Sequence, residues 1–123
     1  MPNRLEPGNP AMLMVMHLDH ALEILLSIGL ERITNHARSL ADQVAATLEA
    51  LGLSVISPST FESRSGNTCF LYKDSEDMNH SLAMENVLCW GGYDRVRIST
   101  HLYNSSEDIA HCLDVLSTLL SKE

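Results

Sequence analysis

The stretch VRISTHLYNSSEDIAHCL, Val96 to Leu113, carries the most informative pattern of this 123-residue chain. Its first residues alternate between apolar and polar, which is typical of a strand buried on one face. Arg97 therefore points away from Val96 and Ile98. Such an arginine is either a solvated strand residue, the commoner case, or a guanidinium fixed on a rigid strand to bind a carboxylate through two parallel hydrogen bonds. The spacing by itself leaves both interpretations open.

The second half of this stretch predicts a helix. Ser105 and Asp108 are three residues apart, the spacing of a capping box, in which each side chain bonds the backbone N–H of the other residue. Apolar residues then recur every three or four positions, as expected for the core-facing side of a helix. They are Ile109, Cys112, Leu113, Leu116 and Leu120.

Two helices are predicted upstream. Residues 11–28 are apolar on nearly every face of the helix they would form, a pattern that normally means burial on all sides. A domain of this size cannot easily surround one of its own helices, so we expect a partner to cover part of it. The second helix shows one apolar stripe and should end at Gly52, where a left-handed residue is favoured. The stripe comprises Ile33, Ala37, Leu40, Val44, Leu48 and Leu51.

Between these helices and the last one, short apolar runs predict four strands and one more helix, at about 74–85. The strands are Leu53–Ile56, Thr68–Tyr72, Val87–Trp90 and Val96–Ser99, with Gly91 and Gly92 in the turn between the last two. The predicted order is α-α-β-β-α-β-β-α. Strands this close together should pair antiparallel, so we expect an α+β fold with a small antiparallel or mixed sheet of about four strands and helices on one face. We expect residues 1–10 to form an extended lead-in and residues 11–123 to form one domain.

The composition excludes several classes of function. The net charge is −8, and no basic stripe is present that could attract nucleic acid or an anionic membrane surface. The apolar run near the start is interrupted by charged residues and is shorter than the roughly 18 residues that a membrane span needs. The three cysteines are scattered, without C-x-x-C spacing, which favours a reducing, cytoplasmic compartment.

The residues offer little other chemistry. His17 and His20 could share a helix face, but no third ligand follows at a recognisable spacing, so we expect no metal site. Cys89 stands beside Trp90 and two glycines, and it is either a reactive thiol or, more commonly for a strand cysteine, a buried one. The two lysines, Lys73 and Lys122, lie in a loop and in the tail.

Three segments resemble the class V aminotransferases, the fold-type-I pyridoxal-phosphate enzymes that include cysteine desulfurases and isopenicillin-epimerase-like proteins. The segment VRISTHLYNSSEDIAHCLDVL, residues 96–116, resembles the family's C-terminal signature. In that signature an R-x-S strand precedes Tyr-Asn-Thr, an acidic pair and a closing helix. RLEPGNP, residues 4–10, resembles the family's R-F-E-x-G-T-P, and GLERITNHARSL resembles its G-x-x-x-I helix start. The resemblance covers essentially the whole chain and identifies it as the family's C-terminal small domain.

This resemblance implies roles for two residues. Arg97 would bind the α-carboxylate of an amino-acid substrate beside the cofactor. Asn9 occupies the position of the family's G-T-P threonine, which contacts the cofactor phosphate of the neighbouring subunit, and an asparagine can still donate a hydrogen bond there. The catalytic lysine and the aspartate that pairs with the pyridine nitrogen lie in the family's large domain. The resemblance therefore implies that the full-length enzyme uses pyridoxal phosphate. It implies a large catalytic domain and a second copy of the chain as partners. It also implies that the chain alone binds no cofactor and is inactive.

The resemblance to desulfurases is incomplete at one point. Those enzymes carry their nucleophilic cysteine in a long loop before the arginine strand, in a G-H-H-C-A context. Here only residues 90–94 separate the two strands, so the chain resembles the aminotransferase or epimerase-like branch more closely. The alternative function is a stand-alone, non-catalytic α+β interaction module.

Overall fold

The computed structural model of the protein describes Gly8 and residues 11–60 and 62–122. The elements are α1 (Met12–Ile28), α2 (Leu30–Ala50), β1 (Asn67–Leu71), α3 (Ser75–Met84), β2 (Trp90–Gly92), β3 (Arg95–Ser99) and α4 (Ser106–Leu120). The chain divides into two compact units, residues 1–32 and 33–123. Apart from Gly8, the predicted lead-in of residues 1–10 lies outside the described residues.

The first helix, α1, has no buried residue. Gly29 ends it with a φ of +97°, and its N–H donates to the carbonyl of Leu25 at 3.0 Å. Its exposed large apolar side chains are Met12, Leu13, Met14, Val15, Met16, Leu18, Leu22, Ile24 and Leu26. Among the described residues no single helix is long and apolar enough to cross a membrane, although α1 and α2 taken together across Gly29 would satisfy that requirement of length and composition.

The second helix, α2, buries the middle of the predicted stripe, Leu40, Val44 and Leu48, whereas Ile33 and Ala37 are half-buried and Leu51 is exposed just after the helix. Its buried residues are Leu40, Ala41, Val44, Ala45 and Leu48. As predicted, Gly52 ends the helix in the left-handed region, with a φ of +79°. The N–H groups of Leu53 and Gly52 donate to the carbonyls of Leu48 and Glu49, both at 3.0 Å, the two bonds of a Schellman motif.

The sheet has three antiparallel strands in the order β1-β3-β2 in the described part of the chain. The α+β class is confirmed, but the expectation of about four strands is wrong by one. The segment predicted as a strand at 53–56 forms only an isolated bridge, Val55 to Phe70, flanked by hydrogen bonds from Ile56 N to Cys69 O and from Leu71 N to Ser54 O. The pairing stops because the next residue, Ser57, accepts the Cys69 N–H with its hydroxyl at 2.8 Å, and Pro58 follows.

The turn between β2 and β3 is not where the glycines are. Gly91 and Gly92 lie in β2, and the two-residue turn is Tyr93–Asp94, with φ values of 52° and 55°. The prediction of a glycine turn is therefore wrong. Two successive positive φ values are typical of the type I′ hairpin turn, whose twist matches that of the strands.

One face of the sheet carries the core. Phe70, Val96 and Ile98 are buried there against side chains of the helices, and the burial of β3 alternates strictly. The helical members of this core cluster are Leu40, Val44, Leu48, Met78, Leu82, Ile109, Cys112 and Leu116. The predicted capping box of α4 is present: Asp108 N donates to Ser105 Oγ at 3.1 Å, and Ser105 N donates to Asp108 Oδ2 at 2.8 Å.

Candidate functional site

The candidate site is the open face of the sheet, centred on Arg97. Arg97 occupies the middle of β3, the central strand, and is exposed. Its neighbours across the two ladders are Cys69 on β1 and Trp90 on β2. Directly opposite residues of antiparallel strands point to the same face, so these three side chains form one row across the sheet.

No carboxylate of the described residues pairs with Arg97. Ion pairs elsewhere in that part of the chain include His20 with Glu23 and Arg64 with Asp42. This is notable in a chain with 16 acidic and 8 basic residues, where carboxylates are abundant. The guanidinium is instead placed over the indole of Trp90, with its Cζ 5.5 Å from the ring centroid, within cation–π range. Such a group can bind an external carboxylate without first breaking an internal ion pair.

The indole of Trp90 lies along its own strand. A Cβ on Gly92, two residues on and on the same face, would be 3.2 Å from Trp90 Cζ2, so the glycine leaves the space that the ring uses. Tyr93 supplies a second ring, 6.4 Å away between centroids and tilted by 34°. Trp90 was not among the predicted site residues. A two-residue hairpin turn at 93–94 would have indicated it, because that register places position 90 opposite position 97.

The turn after β3 is held by backbone and side-chain bonds. Thr100 Oγ1 donates to the carbonyl of Ala37 at 2.8 Å, and the N–H of Thr100 donates to the carbonyl of Gly66 at 2.7 Å. Asn104 accepts the His101 N–H with its Oδ1 at 2.9 Å, and its carbonyl accepts from His36 Nε2 at 2.8 Å. These bonds fix the C-terminal end of β3 to α2, which makes the strand bearing Arg97 rigid.

The thiols of Cys89 and of Cys112, which lies in α4, are not activated. Cys89 and Cys112 line an open cavity of about 450 Å³ on the unit formed by residues 33–123. Burial raises the pKa of Cys89, whose Sγ donates to Asn79 Oδ1 at 3.3 Å. Burial, and then the neighbouring Cys89, raises the pKa of Cys112 to about 11. Both thiols are therefore protonated at neutral pH, which disfavours a reactive Cys89. Cys89 is half-buried and directly precedes β2, so the prediction of a buried strand cysteine is wrong in both respects.

The other predicted site residues do not come together with Arg97. Asn9, assigned to the cofactor phosphate by resemblance, lies outside the described residues. Lys73 and Lys122 are both exposed, and Lys73 borders a surface depression with Asp74, Glu76 and Asp77. In the part of the chain that the structure describes, no three His, Cys, Asp or Glu side chains are grouped so as to hold a metal ion.

Comparison with known proteins identifies the family of the chain. The sequence model of the family described as Aminotransferase class-V matches residues 1–111. The chain belongs to the class V aminotransferase family. The match confirms the resemblance carried by the segments at 4–10 and 96–113.

Three similar proteins show what share of a longer chain this sequence matches. It is 26% identical over 113 residues to the Schizosaccharomyces pombe protein C11D3.10, covering 92% of this chain and 26% of that protein. The apo structure of a cysteine desulfurase from Thermococcus onnurineus NA1 superposes with a TM-score of 0.91 at 23% identity, over 99% of this chain and 34% of that one. A NifS-like protein superposes with a TM-score of 0.80 at 18% identity, over 94% of this chain and 35% of that one. The class V chain thus spans about a quarter to a third of the length of these proteins.

Proposed function

We propose that the chain is the C-terminal, substrate-carboxylate-binding domain of a pyridoxal-phosphate-dependent class V aminotransferase-like enzyme. One observation carries the proposal: Arg97 projects from the central strand with no acidic partner among the described residues. In this proposal its two outer guanidinium nitrogens bind the α-carboxylate of an amino acid and orient the substrate. Substrate titrations of wild-type and Arg97→Ala enzyme test this, because only the binding role predicts lost affinity with retained folding.

The residues described here do not form a complete pyridoxal-phosphate site. The cofactor chemistry of fold-type-I enzymes, stabilisation of negative charge at the substrate α-carbon, requires a lysine and a carboxylate placed around the ring. Lys73 and Lys122 are exposed and Arg97 shares neither of their surface depressions. We therefore assign the cofactor to the full-length enzyme, whose large domain would supply these groups.

We expect the chain alone to form no specific covalent adduct with pyridoxal phosphate. Exposed lysines react only weakly and non-selectively, because an exposed amine offers no pocket that holds the aldehyde in place. After mixing and borohydride reduction, mass spectrometry should find substoichiometric labelling, similar at both lysines. A stoichiometric adduct at Lys73 that is absent from a Lys73→Arg variant would contradict the assignment.

We also propose that the apolar surface of α1 contacts partners, namely the large domain and a second copy of the chain. The side chains of Met12, Met14, Met16 and Leu26 are 59–66% exposed. Soluble monomers rarely leave apolar patches beyond a few hundred Å² uncovered. The three free cysteines suit a reducing, cytoplasmic location.

The chain without a large domain should self-associate. Light scattering at increasing concentration should show a mass above 13.6 kDa, and replacing Met12, Met16 and Leu26 by glutamine should return it to the monomer value. A matched control replaces three polar residues of the same helix by glutamine, namely Asp19, His20 and Glu23. This variant should still self-associate. A monomer at high concentration would contradict this expectation.

The exposed α1 also suits the alternative, a stand-alone interaction module that kept the fold without the chemistry. The two functions predict different gene structures. An upstream reading frame encoding the lysine-bearing domain would favour the enzyme, and a separate promoter before Met1 would favour the module.

A further inference from the structure

We propose that Trp90 is the positioning residue for Arg97: its indole holds the guanidinium in the orientation that binds a carboxylate. This inference rests on the proposed function of Arg97. The two residues are direct partners in the β2–β3 ladder, and Arg97 Cζ lies 5.5 Å from the centre of the Trp90 ring. A long, exposed arginine would otherwise sample many rotamers.

In this proposal the guanidinium lies flat against the indole, which leaves its binding edge free. An aromatic face attracts the flat, positively charged face of the group, whereas a carboxylate binds in its plane through the N–H fork. Such an arrangement would cover one side of Arg97 without using the donors that the substrate needs. Holding the side chain in advance reduces the entropy that is lost when a ligand immobilises it.

The indole itself is bordered by two residues of the same hairpin. Gly92 lacks the Cβ that would press on Trp90 Cζ2 at 3.2 Å, so the ring can lie close to the strand. Tyr93, placed by its positive φ in the turn, flanks the ring at 6.4 Å. Trp90 is still 38% exposed, which is unusual for a tryptophan that serves only the core, and the core cluster does not include it.

The stack can be tested directly by NMR of the full 123-residue chain. Protons of Arg97 that lie over the indole should be shifted upfield by its ring current, and the Nε–Hε group should be more ordered than that of Arg95. Arg95 is a matched control, since it lies on the same strand and face but opposite Gly92. In Trp90→Leu the shift and the extra order should be lost, and in Trp90→Phe they should be largely retained.

Titration with acetate then measures how each variant binds a carboxylate, from the shift of the Arg97 Nε–Hε signal. Sodium chloride at equal ionic strength is the control. We expect Trp90→Leu to weaken acetate binding about twofold to tenfold, the loss that corresponds to fixing one free side chain. Trp90→Phe should stay within about twofold of wild type. Backbone amide spectra report whether each variant remains folded.

The outcomes separate this inference from the proposed function. If acetate shifts Arg97 no more than Arg95 in wild type, the binding role of Arg97 fails. If acetate binds at Arg97 but Trp90→Leu binds it as well as wild type, the positioning role of Trp90 fails while the proposed function stands. Absence of any ring-current shift at Arg97 in wild type would overturn the inference without the use of a variant.

Discussion

Replacing Arg97 by alanine should weaken amino-acid substrate binding by roughly thirtyfold to several thousandfold in an enzyme that combines this chain with a class V large domain. The figure corresponds to the loss of a charged contact from a partly desolvated site, about 2–5 kcal/mol. The fold should be retained, because the side chain is exposed and faces away from Val96 and Ile98, so its removal leaves no cavity in the core. We expect the free energy of unfolding to change by no more than about 1 kcal/mol.

Two further variants make the result specific. Arg97→Lys should restore little affinity, because an ammonium cannot reproduce the planar, two-pronged donor of a guanidinium. Arg95→Ala is the matched control, an exposed arginine on the same strand and face. Isothermal titration with substrate and chemical denaturation of all three variants provide the measurements. Equal affinities for the Arg95→Ala and Arg97→Ala enzymes would identify Arg97 as an ordinary solvated strand residue.

Replacing Gly91 by alanine should destabilise the domain by at least about 3 kcal/mol, or prevent folding. The added Cβ would lie 2.1 Å from the carbonyl oxygen of Ser75 and 2.7 Å from Asn79 Cβ, and both atoms belong to α3. The nearest clash is with backbone, which cannot rotate away, so α3 would have to move from the sheet. Such overpacking belongs to the most damaging class of single substitutions. The melting temperature should fall by on the order of 10 °C or more.

Gly92→Ala is the control, one residue further along β2. Its Cβ would point to the open face and meet only the edge of the Trp90 ring at 3.2 Å, which the side chain can relieve by a small shift. We therefore expect a loss of at most about 1 kcal/mol. Thermal unfolding followed by circular dichroism compares the two. Similar melting temperatures for both variants would mean that α3 does not pack against Gly91 as described.

Local patterns in the sequence were sufficient for most of the elements. The apolar stripe of α2, its end at Gly52 and the capping box at Ser105 and Asp108 were predicted and are present. Each depends on residues within one or two turns of one another, whose spacing and backbone preferences act locally. The alternation around Arg97 likewise determined which face of its strand it occupies.

Contacts between distant segments were decided only by the tertiary structure. Gly91 and Gly92 were predicted to form the turn, but they are small because α3 approaches one of them and the Trp90 ring lies over the other. The turn lies at 93–94 instead, and this position sets the register in which Trp90 pairs with Arg97. The sequence by itself therefore determined the helices, most of the strands and the family, because those follow from local spacing and from the motifs at 4–10 and 96–113. The site depended on the pairing of strands, and a shift of one residue in a hairpin turns every side chain to the opposite face.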